Sequence, residues 1–437
     1  MTSDQLGSFQ PALVDLLEHF LPCFPRQKTL VHLQKYLVGL LSDLKRKSIE
    51  PIALAAGIPV RTLQEFLAFF VWDHERANRM LQRLMVDEHG SDRAIGVVDA
   101  SGHAKRGDKT PGVQRQWCGE TGKVDNCIVG QHLLYTDNDP NNPFSCVLAS
   151  DVYVSEKWTE DRDRCREAGI PDSVVARPKW QIAADQIQDA LANGVRFRWI
   201  TFDEDYGQIP PFWFQLDRMG LWGIGEVRSN FRCWSIRPSC HSGRAEHAAR
   251  RVDNLCGYSP LFTQQPWRRM TIKDATRGPV IWEVRAARVH LVDASNPDHN
   301  ISVPTDRKYW LIVARNPATD EVKYFVSNAP ASMSLQEMME VAFTRWHIEK
   351  WFERAKQEAG FGAFEVRTYR SLIRHWFCCR LAMYFLADRT QRLREKKSED
   401  YVGTGGRSGQ YAGRENLEPL VTLLERNYQT ELLPSIP

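Results

Sequence analysis

The stretch IGVVDASGHAKRG, residues 95–107, decides the fold prediction. Four apolar or small residues lead into Asp99, which is typical of a short buried strand that ends in a carboxylate. We expect Ala100–Gly102 to turn the chain before the cations Lys105 and Arg106. An acid there, followed by cations, suits a divalent metal bound close to a phosphate. The alternative is an ordinary turn residue, because aspartate is common where strands end.

A second stretch, TFDEDYG at residues 201–207, repeats this pattern. The preceding apolar run predicts another buried strand, and Asp203 follows it directly. Glu204 and Asp205 compete for the same role, but Asp203 is favoured by its position. If the two strands are neighbours, the carboxylates of Asp99 and Asp203 meet at one edge of the sheet.

The third stretch, RWHIEKWFERAK at residues 345–356, is predicted to belong to a helix over 336–359. At about 100° per residue, Arg345, Glu349 and Lys356 fall on one narrow stripe. Apolar side chains surround this stripe, so we expect the helix to be buried on several sides and its charges to need partners. The alternative is an exposed ion pair worth about 0.2–0.5 kcal/mol.

The hydrophobic pattern divides the whole chain into five segments. These are a helical segment (1–91), an alternating strand and helix segment (92–227), a β-rich segment (228–332), a second helical segment (333–388) and a basic, glycine-rich tail (389–437). Three strands, a helix, a strand, a helix and a strand make up the order within the second segment. This order predicts an α/β, ribonuclease H-like catalytic core, interrupted by a mostly β insertion domain before the helix that carries Glu349.

The N-terminal segment contains a candidate DNA-reading unit. Residues 52–67 read as a helix, a break at Gly57 and a second helix that exposes Arg61 and Gln64, which resembles a helix-turn-helix. An ordinary helical hairpin is the alternative. Three basic residues directly upstream favour DNA because they are placed to contact phosphates: Lys45, Arg46 and Lys47.

Composition excludes several classes of protein. The 437 residues are 43% hydrophobic and 25% charged, as in soluble globular proteins, and no apolar run approaches membrane-spanning length. A net charge of +3 provides no global basic field, so any DNA-binding surface must be local. The ten cysteines lack the spacing of a disulfide framework, and there is no secretory signal pattern, so we expect a cytoplasmic protein.

The ordered series of motifs resembles the DDE transposases of bacterial insertion sequences, and is most similar to the branch numbered seven-oh-one. Their signature helix carries Tyr, Arg, Glu and Lys at a fixed spacing, which Arg345, Glu349 and Lys356 match. Ala342 stands at the tyrosine position, with Phe343 beside it. Further similar stretches are VDASGHAKRGDKTPGVQRQWCGETGKVDNC, SEKWTEDRDRCREAGIP, DEDYG and VRTYRSLIRH.

The resemblance implies a mechanism and a set of residues. Asp99, Asp203 and Glu349 would bind two Mg²⁺ ions, with Mn²⁺ as a substitute, and would need no covalent protein nucleophile. The side chains implied to contact DNA near the cut are Arg345, Lys356, Lys105, Arg106 and Arg115. The expected protein is a cut-and-paste transposase that acts as a homodimer on double-stranded DNA, at transposon ends and at the target, in the nucleoid-associated bacterial cytoplasm.

Two other functions stay open from the sequence. One is a ribonuclease H-like DNA nuclease without strand transfer, which the long insertion and the N-terminal helices disfavour. The other is a DNA-binding protein derived from a transposase that no longer cuts, which the presence of all three acids disfavours. Ala342, where the relatives have tyrosine, keeps the second of these open.

Overall fold

The computed structural model describes residues 9–241, 244–275, 278–293 and 302–403. The helices are α1 (Phe9–Glu18), α2 (Gln27–Leu41), α3 (Ile49–Ala55), α4 (Val60–Ala68), α5 (His74–His89), α6 (Glu156–Thr159), α7 (Arg162–Glu167), α8 (Lys179–Ala192), α9 (Glu204–Gly207), α10 (Pro210–Arg218), α11 (Val252–Tyr258), α12 (Pro260–Thr263), α13 (Leu335–Thr344), α14 (Trp346–Glu358) and α15 (Tyr369–Gly403).

The strands follow the same order along the chain. They are β1 (Ile95–Ala104), β2 (Gln114–Cys118), β3 (Lys123–Thr136), β4 (Ser145–Val152), β5 (Trp199–Phe202), β6 (Trp222–Val227), β7 (Arg232–Trp234), β8 (Cys240–His241), β9 (Arg244–Ala245), β10 (Arg250–Arg251), β11 (Arg268–Ala275), β12 (Gly278–Asp293), β13 (Val303–Pro304), β14 (Tyr309–Arg315) and β15 (Val322–Ser327). One large mixed sheet contains most of them, and β8 pairs separately with β9.

The N-terminal helices have the predicted arrangement. Gly57, at φ +62°, separates α3 from α4, since a left-handed backbone at this point favours glycine. Ile52, Leu63 and Leu67 turn inward and are fully buried. The helix, glycine and helix pattern is therefore present, while its role in reading DNA stays a prediction.

A buried arginine ties the N-terminal helices to the C-terminal helix α15. The Arg374 guanidinium donates to the backbone oxygens of Phe66 and Leu67 at 3.2 Å, and of Phe70 and Trp72 at 2.9 Å. It thereby satisfies carbonyls that the end of α4 leaves unpaired. The same hydrophobic core runs through the N-terminal helices and the sheet, so the segment before residue 92 shares its core with the rest of the fold.

Strand β1 lies at the centre of the sheet. It pairs in antiparallel fashion with β3 and in parallel with β5, which in turn is parallel to β6. The prediction that β1 ends at Asp99 is wrong, because Ala100–Ala104 continue the pairing with β3 instead of turning. Asp99 instead follows Val98, the last residue of β1 that pairs with β5.

The β-rich segment after β6 joins this same sheet. Strand β15 pairs antiparallel with β6, and β14, β12, β7 and β10 follow it outward. The strands of the predicted β insertion therefore extend the sheet that contains β1, β5 and β6, while the division of the chain into domains stays a prediction. Pairing with β15 covers the backbone edge that β6 would otherwise expose.

The C-terminal helices differ from the prediction at two points. The single helix expected over 336–359 is divided into α13 and α14 at Arg345. Helix α15 runs on to Gly403, so the first part of the predicted tail, residues 389–403, is helical. The rest of that tail, residues 404–437, lies outside the described residues. Within the described ranges, no helix has the length and apolar character needed to cross a membrane.

We predict that Asp388→Asn destabilises the protein by about 1–2 kcal/mol at pH 7, and by less at pH 3. Asp388 on α15 lies 3.2 Å from the His89 ring of α5 and accepts a hydrogen bond from Arg392. Burial raises the pKa of Asp388, but these partners outweigh it and bring the pKa from 3.8 to about 2.

This stabilisation is therefore present above about pH 4 and is lost as the pH falls towards 2. Urea unfolding of the wild type and the variant at both pH values measures it. An equal loss at pH 7 and pH 3 would contradict this origin.

Candidate active site

The strand register places two acids side by side. The last parallel pair between β1 and β5 joins Val98 to Phe202, and the next residues are Asp99 and Asp203. Asp203 also caps the N-terminus of α9, where its Oδ1 accepts a hydrogen bond from the Asp205 amide at 3.0 Å. The structure thus brings together the two acids that the sequence predicts at the strand ends.

These two carboxylates lack sufficient positive charge around them. Burial and the nearby Asp203 carboxylate raise the pKa of Asp99, while Arg345 partly offsets this effect. Burial and the carboxylate of Asp205 raise the pKa of Asp203. Acids whose charged form is disfavoured in this way, and which lie where the parallel pairing of two strands ends, are candidates for a functional site.

Arg345 links Glu349 to Asp99. One nitrogen of the Arg345 guanidinium lies 2.7 Å from the Glu349 carboxylate, and another lies 3.5 Å from that of Asp99. Glu349 is about half-exposed, whereas the Asp99 side chain is 14% exposed. Arg345 therefore lies between two of the three acids predicted to form the site.

The carboxylates of Asp99 and Asp203 suit a hard divalent cation, but the predicted third ligand, Glu349, is paired with Arg345. Asp99 and Asp203 offer adjacent carboxylate oxygens, which Mg²⁺ and Mn²⁺ prefer. In the part of the chain that the structure describes, no three His, Cys, Asp or Glu side chains are grouped closely enough to hold a metal ion. Glu349, the third predicted ligand, is paired with Arg345 at 2.7 Å.

The structure also separates Asp203 from its two competitors. Asp205 is exposed and pairs with Arg228 at 2.6 Å. Glu204 lies in the first turn of α9, at the wall of a cavity of about 480 Å³ beside β6. Asp203, in contrast, directly follows the residue that pairs with Val98. The geometry therefore favours Asp203 as the partner of Asp99.

The cations predicted to contact DNA fall into two groups. For Lys47 and Lys105, the predicted contact with a DNA phosphate is wrong. The Lys47 amine is buried and donates to the backbone oxygens of Leu40 at 2.8 Å and Glu358 at 2.5 Å. The Lys105 amine donates to the backbone oxygen of Phe364 at 3.0 Å and lies 3.6 Å from the centre of its ring. Both amines are engaged inside the protein, so neither is placed to contact a phosphate.

The other predicted contacts lie at or near the surface. Arg46 pairs with Glu365, and Arg61 pairs with Glu65 at 2.8 Å. Lys356 is half-buried on α14, where burial and this ammonium lower the pKa of His103. The exposed members of the set are Lys45, Arg46, Arg61, Gln64, Arg106 and Arg115.

Tyr206 and Gln131, which were not predicted from the sequence, form a chain of hydrogen bonds that ends at the Asp99 backbone. The buried Tyr206 hydroxyl donates to the Gln131 side chain, whose amide donates to the Asp99 backbone oxygen at 3.2 Å. Tyr206 stands three residues after Asp203 in DEDYG, so its position was a usable signal. Gln131 gave no such signal, because its role depends on the pairing of β3 with β1.

Comparison with known proteins identifies the family. Residues 19–279 match the family described as DDE superfamily endonuclease, which is more than half of the chain. The chain belongs to this family. The match includes Asp99 and Asp203 of this DDE superfamily endonuclease and ends before Glu349. The resemblance inferred from the motifs is thereby confirmed.

Two individual proteins are also similar to this DDE superfamily endonuclease. The probable transposase for insertion sequence element IS701 of Microchaete diplosiphon is 31% identical over 199 residues, which are 45% of this chain and 48% of that protein. The match thus spans about half the length of this curated relative. The piggyBac transposase, solved as a synaptic complex with hairpin DNA, aligns with a TM-score of 0.47 at 9% identity, over 95% of this chain and 77% of that chain.

We predict that Ala342→Tyr, which restores the tyrosine of the signature helix, destabilises this endonuclease by about 1–3 kcal/mol. Ala342 is buried, and the neighbouring Phe343 already packs against Trp282 at 5.1 Å between ring centres. A second large ring therefore overpacks α13. Chemical denaturation measures the loss, with Ala342→Ser as the small-residue control. Unchanged stability of Ala342→Tyr would show that the helix has room for the ring.

Proposed function

We propose that this DDE superfamily endonuclease is a transposase that binds the inverted repeats at transposon ends and catalyses metal-dependent DNA cleavage and strand transfer. The observation that carries the proposal is that Asp99 and Asp203 directly follow the last parallel pair of β1 and β5, with Glu349 linked to Asp99 through Arg345. The similarity to the probable IS701 transposase supports it.

We also propose that the centre of the sheet is a ribonuclease H-like core. The order of its strands supports this assignment, because β3 is antiparallel to β1 while β5 and β6 are parallel to it and lie on its other side. The prediction from the sequence relied on the same order of elements. The long β-rich segment would then be an extension of this core sheet.

The three acids would hold divalent cations, which we expect to be two Mg²⁺ ions with Mn²⁺ as a substitute. When bound, such ions activate the attacking water or 3′-hydroxyl and stabilise the charge on the leaving oxygen. Asp99 and Asp203 contribute negative charge in a buried position, where a cation relieves their mutual repulsion. Glu349 contributes from α14 once it separates from Arg345.

Arg345 and Lys356 would bind the DNA phosphates next to the scissile bond. A guanidinium donates two parallel hydrogen bonds to a phosphate as well as to a carboxylate, so phosphate is a competing partner for Arg345. Its present contacts with Glu349 and Asp99 show that the side chain reaches the acids. A bound divalent cation would compete with Arg345 for Glu349, and a DNA phosphate would compete with Glu349 for Arg345, so that either would separate the two side chains.

We propose that α4 contributes to recognition of the inverted repeat through Arg61 and Gln64, which it exposes. Lys45 is also exposed and would contact phosphates without reading sequence. The homodimer on DNA and the association with the bacterial nucleoid stay predictions from the resemblance.

The acids are tested by Asp99→Asn, Asp203→Asn and Glu349→Gln. Each should reduce nicking of an inverted-repeat duplex at least about 10³-fold and leave DNA binding within about twofold, because the lost interaction stabilises the transition state. Asp205→Asn is the matched control and should nick at close to the wild-type rate. The reverse result for Asp203 and Asp205 would exchange their roles.

The reaction type is tested by following the cut ends. The proposal predicts that a cut transposon end becomes joined to a target plasmid in the presence of Mg²⁺. Cutting without joining would favour the nuclease alternative, and specific DNA binding without metal-dependent nicking would favour the non-cutting DNA-binding protein.

Recognition is tested with point variants, because deleting the N-terminal helices would expose the core that they share with α15. Arg61→Ala and Gln64→Ala should each reduce the preference for the inverted repeat over random DNA by about 1–3 kcal/mol. Lys45→Ala should instead weaken binding to both and flatten the salt dependence. Equal weakening on both DNAs by Arg61→Ala and Gln64→Ala would contradict sequence reading by α4.

A further inference from the structure

At the end of α14 and in the segment after it, backbone oxygens accept hydrogen bonds from side chains of three other parts of the fold. We call residues 358–364 the α14 collar. The contacts are Lys47 to the oxygen of Glu358 at 2.5 Å, Cys379 to that of Ala359 at 3.1 Å, His375 to that of Gly360 at 3.1 Å, and Lys105 to those of Gly362 at 3.4 Å and Phe364 at 3.0 Å.

An ammonium group is well suited to this position. The last carbonyls of a helix have no partner within the helix and carry partial negative charge, so a cation there is favourable. Lys47 binds two such ends, because its amine also donates to the backbone oxygen of Leu40, near the end of α2, at 2.8 Å. Burial lowers the pKa of Lys47 and of Lys105 to about 8.

Lys105 connects the collar to the strand that carries Asp99. It follows the last residue of β1, and its amine lies over the ring of Phe364. The ring of His103, on the same strand, packs against Phe361 and Phe364 with centres 5.6 Å apart in each case. The strand of Asp99 and the helix of Glu349 are therefore held together at the collar.

Lys47 also leaves little space at the collar. Gly360 has φ +62°, and a Cβ atom built there would lie 2.6 Å from the Cβ of Lys47. Glycine is required both by the left-handed backbone and by this close approach. The collar is thus a closely packed joint whose position depends on both lysines.

The position of this joint matters for the acid on the helix. Glu349 is half-exposed, and it precedes the collar by about 14 Å along a rigid helix. A shift of the collar along the helix axis therefore moves Glu349 by a similar distance relative to Asp99. Misplacement by about 1 Å is enough to reduce a reaction rate about 10²-fold.

We propose that Lys47 and Lys105 are positioning residues that hold the α14 collar and thereby set the place of Glu349 opposite Asp99. This inference rests on the proposed function, since it concerns the same three acids. It assigns to both lysines a role inside the protein, in place of the phosphate contacts predicted for Lys47 from its position before the helix-turn-helix-like segment and for Lys105 from the resemblance.

The test compares Lys105→Met, Lys47→Met and Gly360→Ala with the full-length wild-type chain. We expect each variant to weaken Mn²⁺ binding, measured by calorimetry without DNA, by about tenfold, which is the effect typical of residues that orient metal ligands. We expect kcat for nicking to fall, while KM for the inverted-repeat duplex and its salt dependence stay unchanged. Lys105→Arg, which keeps a donor, should restore most of the Mn²⁺ affinity.

Lys350→Met is the matched control, because Lys350 is an exposed lysine on the same helix that pairs with Glu353 at 2.6 Å. It should leave Mn²⁺ affinity and kcat unchanged. Gly360→Ala keeps both lysines but displaces the collar, so it tests the inference even if a lysine variant fails to fold.

Two results would overturn the inference. Weaker DNA binding with a reduced salt slope and unchanged Mn²⁺ affinity would show that the lysines contact phosphate. A lower melting temperature with unchanged Mn²⁺ affinity and kcat would show a role in stability alone. The proposed function is judged separately, because it fails if Asp99→Asn still nicks DNA. The present inference fails if Asp99→Asn is inactive and the collar variants behave as the wild type.

Discussion

The parallel pairing of β1 with β5 is the constraint on which the rest of the structure depends. This register places Asp99 and Asp203 at the same level, one residue beyond the last shared pair. A shift of one residue would turn one of the two carboxylates to the opposite face of the sheet. The flanking strands β3 and β6 pair with β1 and β5 and so fix the same register from both sides.

The adjacent carboxylates of Asp99 and Asp203 are largely removed from water and need positive charge nearby, of which Arg345 supplies a part. Arg345 supplies a cation from the junction of α13 and α14 and joins Asp99 to Glu349. The remaining repulsion, seen in the raised pKa values of Asp99 and Asp203, favours binding of a divalent ion. Arg345 and a divalent ion would thus be alternative partners for Glu349.

The sequence predicted what local patterns determine. Apolar runs ahead of Asp99 and Asp203 were sufficient to predict the two acids that the strand register places side by side, while the role of Glu349 as a third ligand stays a prediction. The supposed turn after Asp99 was wrong because Ala100–Ala104 pair with β3, a partner that no local pattern reveals. Lys47 and Lys105 look like surface cations in the sequence, and only the fold brings backbone oxygens to their amines.

The most direct test of the central claim is the anomalous diffraction of crystals of the full-length protein that contain Mn²⁺. The claim predicts an anomalous peak bound to carboxylate oxygens of both Asp99 and Asp203, with the Arg345 guanidinium separated from Glu349. An anomalous peak at other residues, or none at a Mn²⁺ concentration that supports nicking, would contradict it.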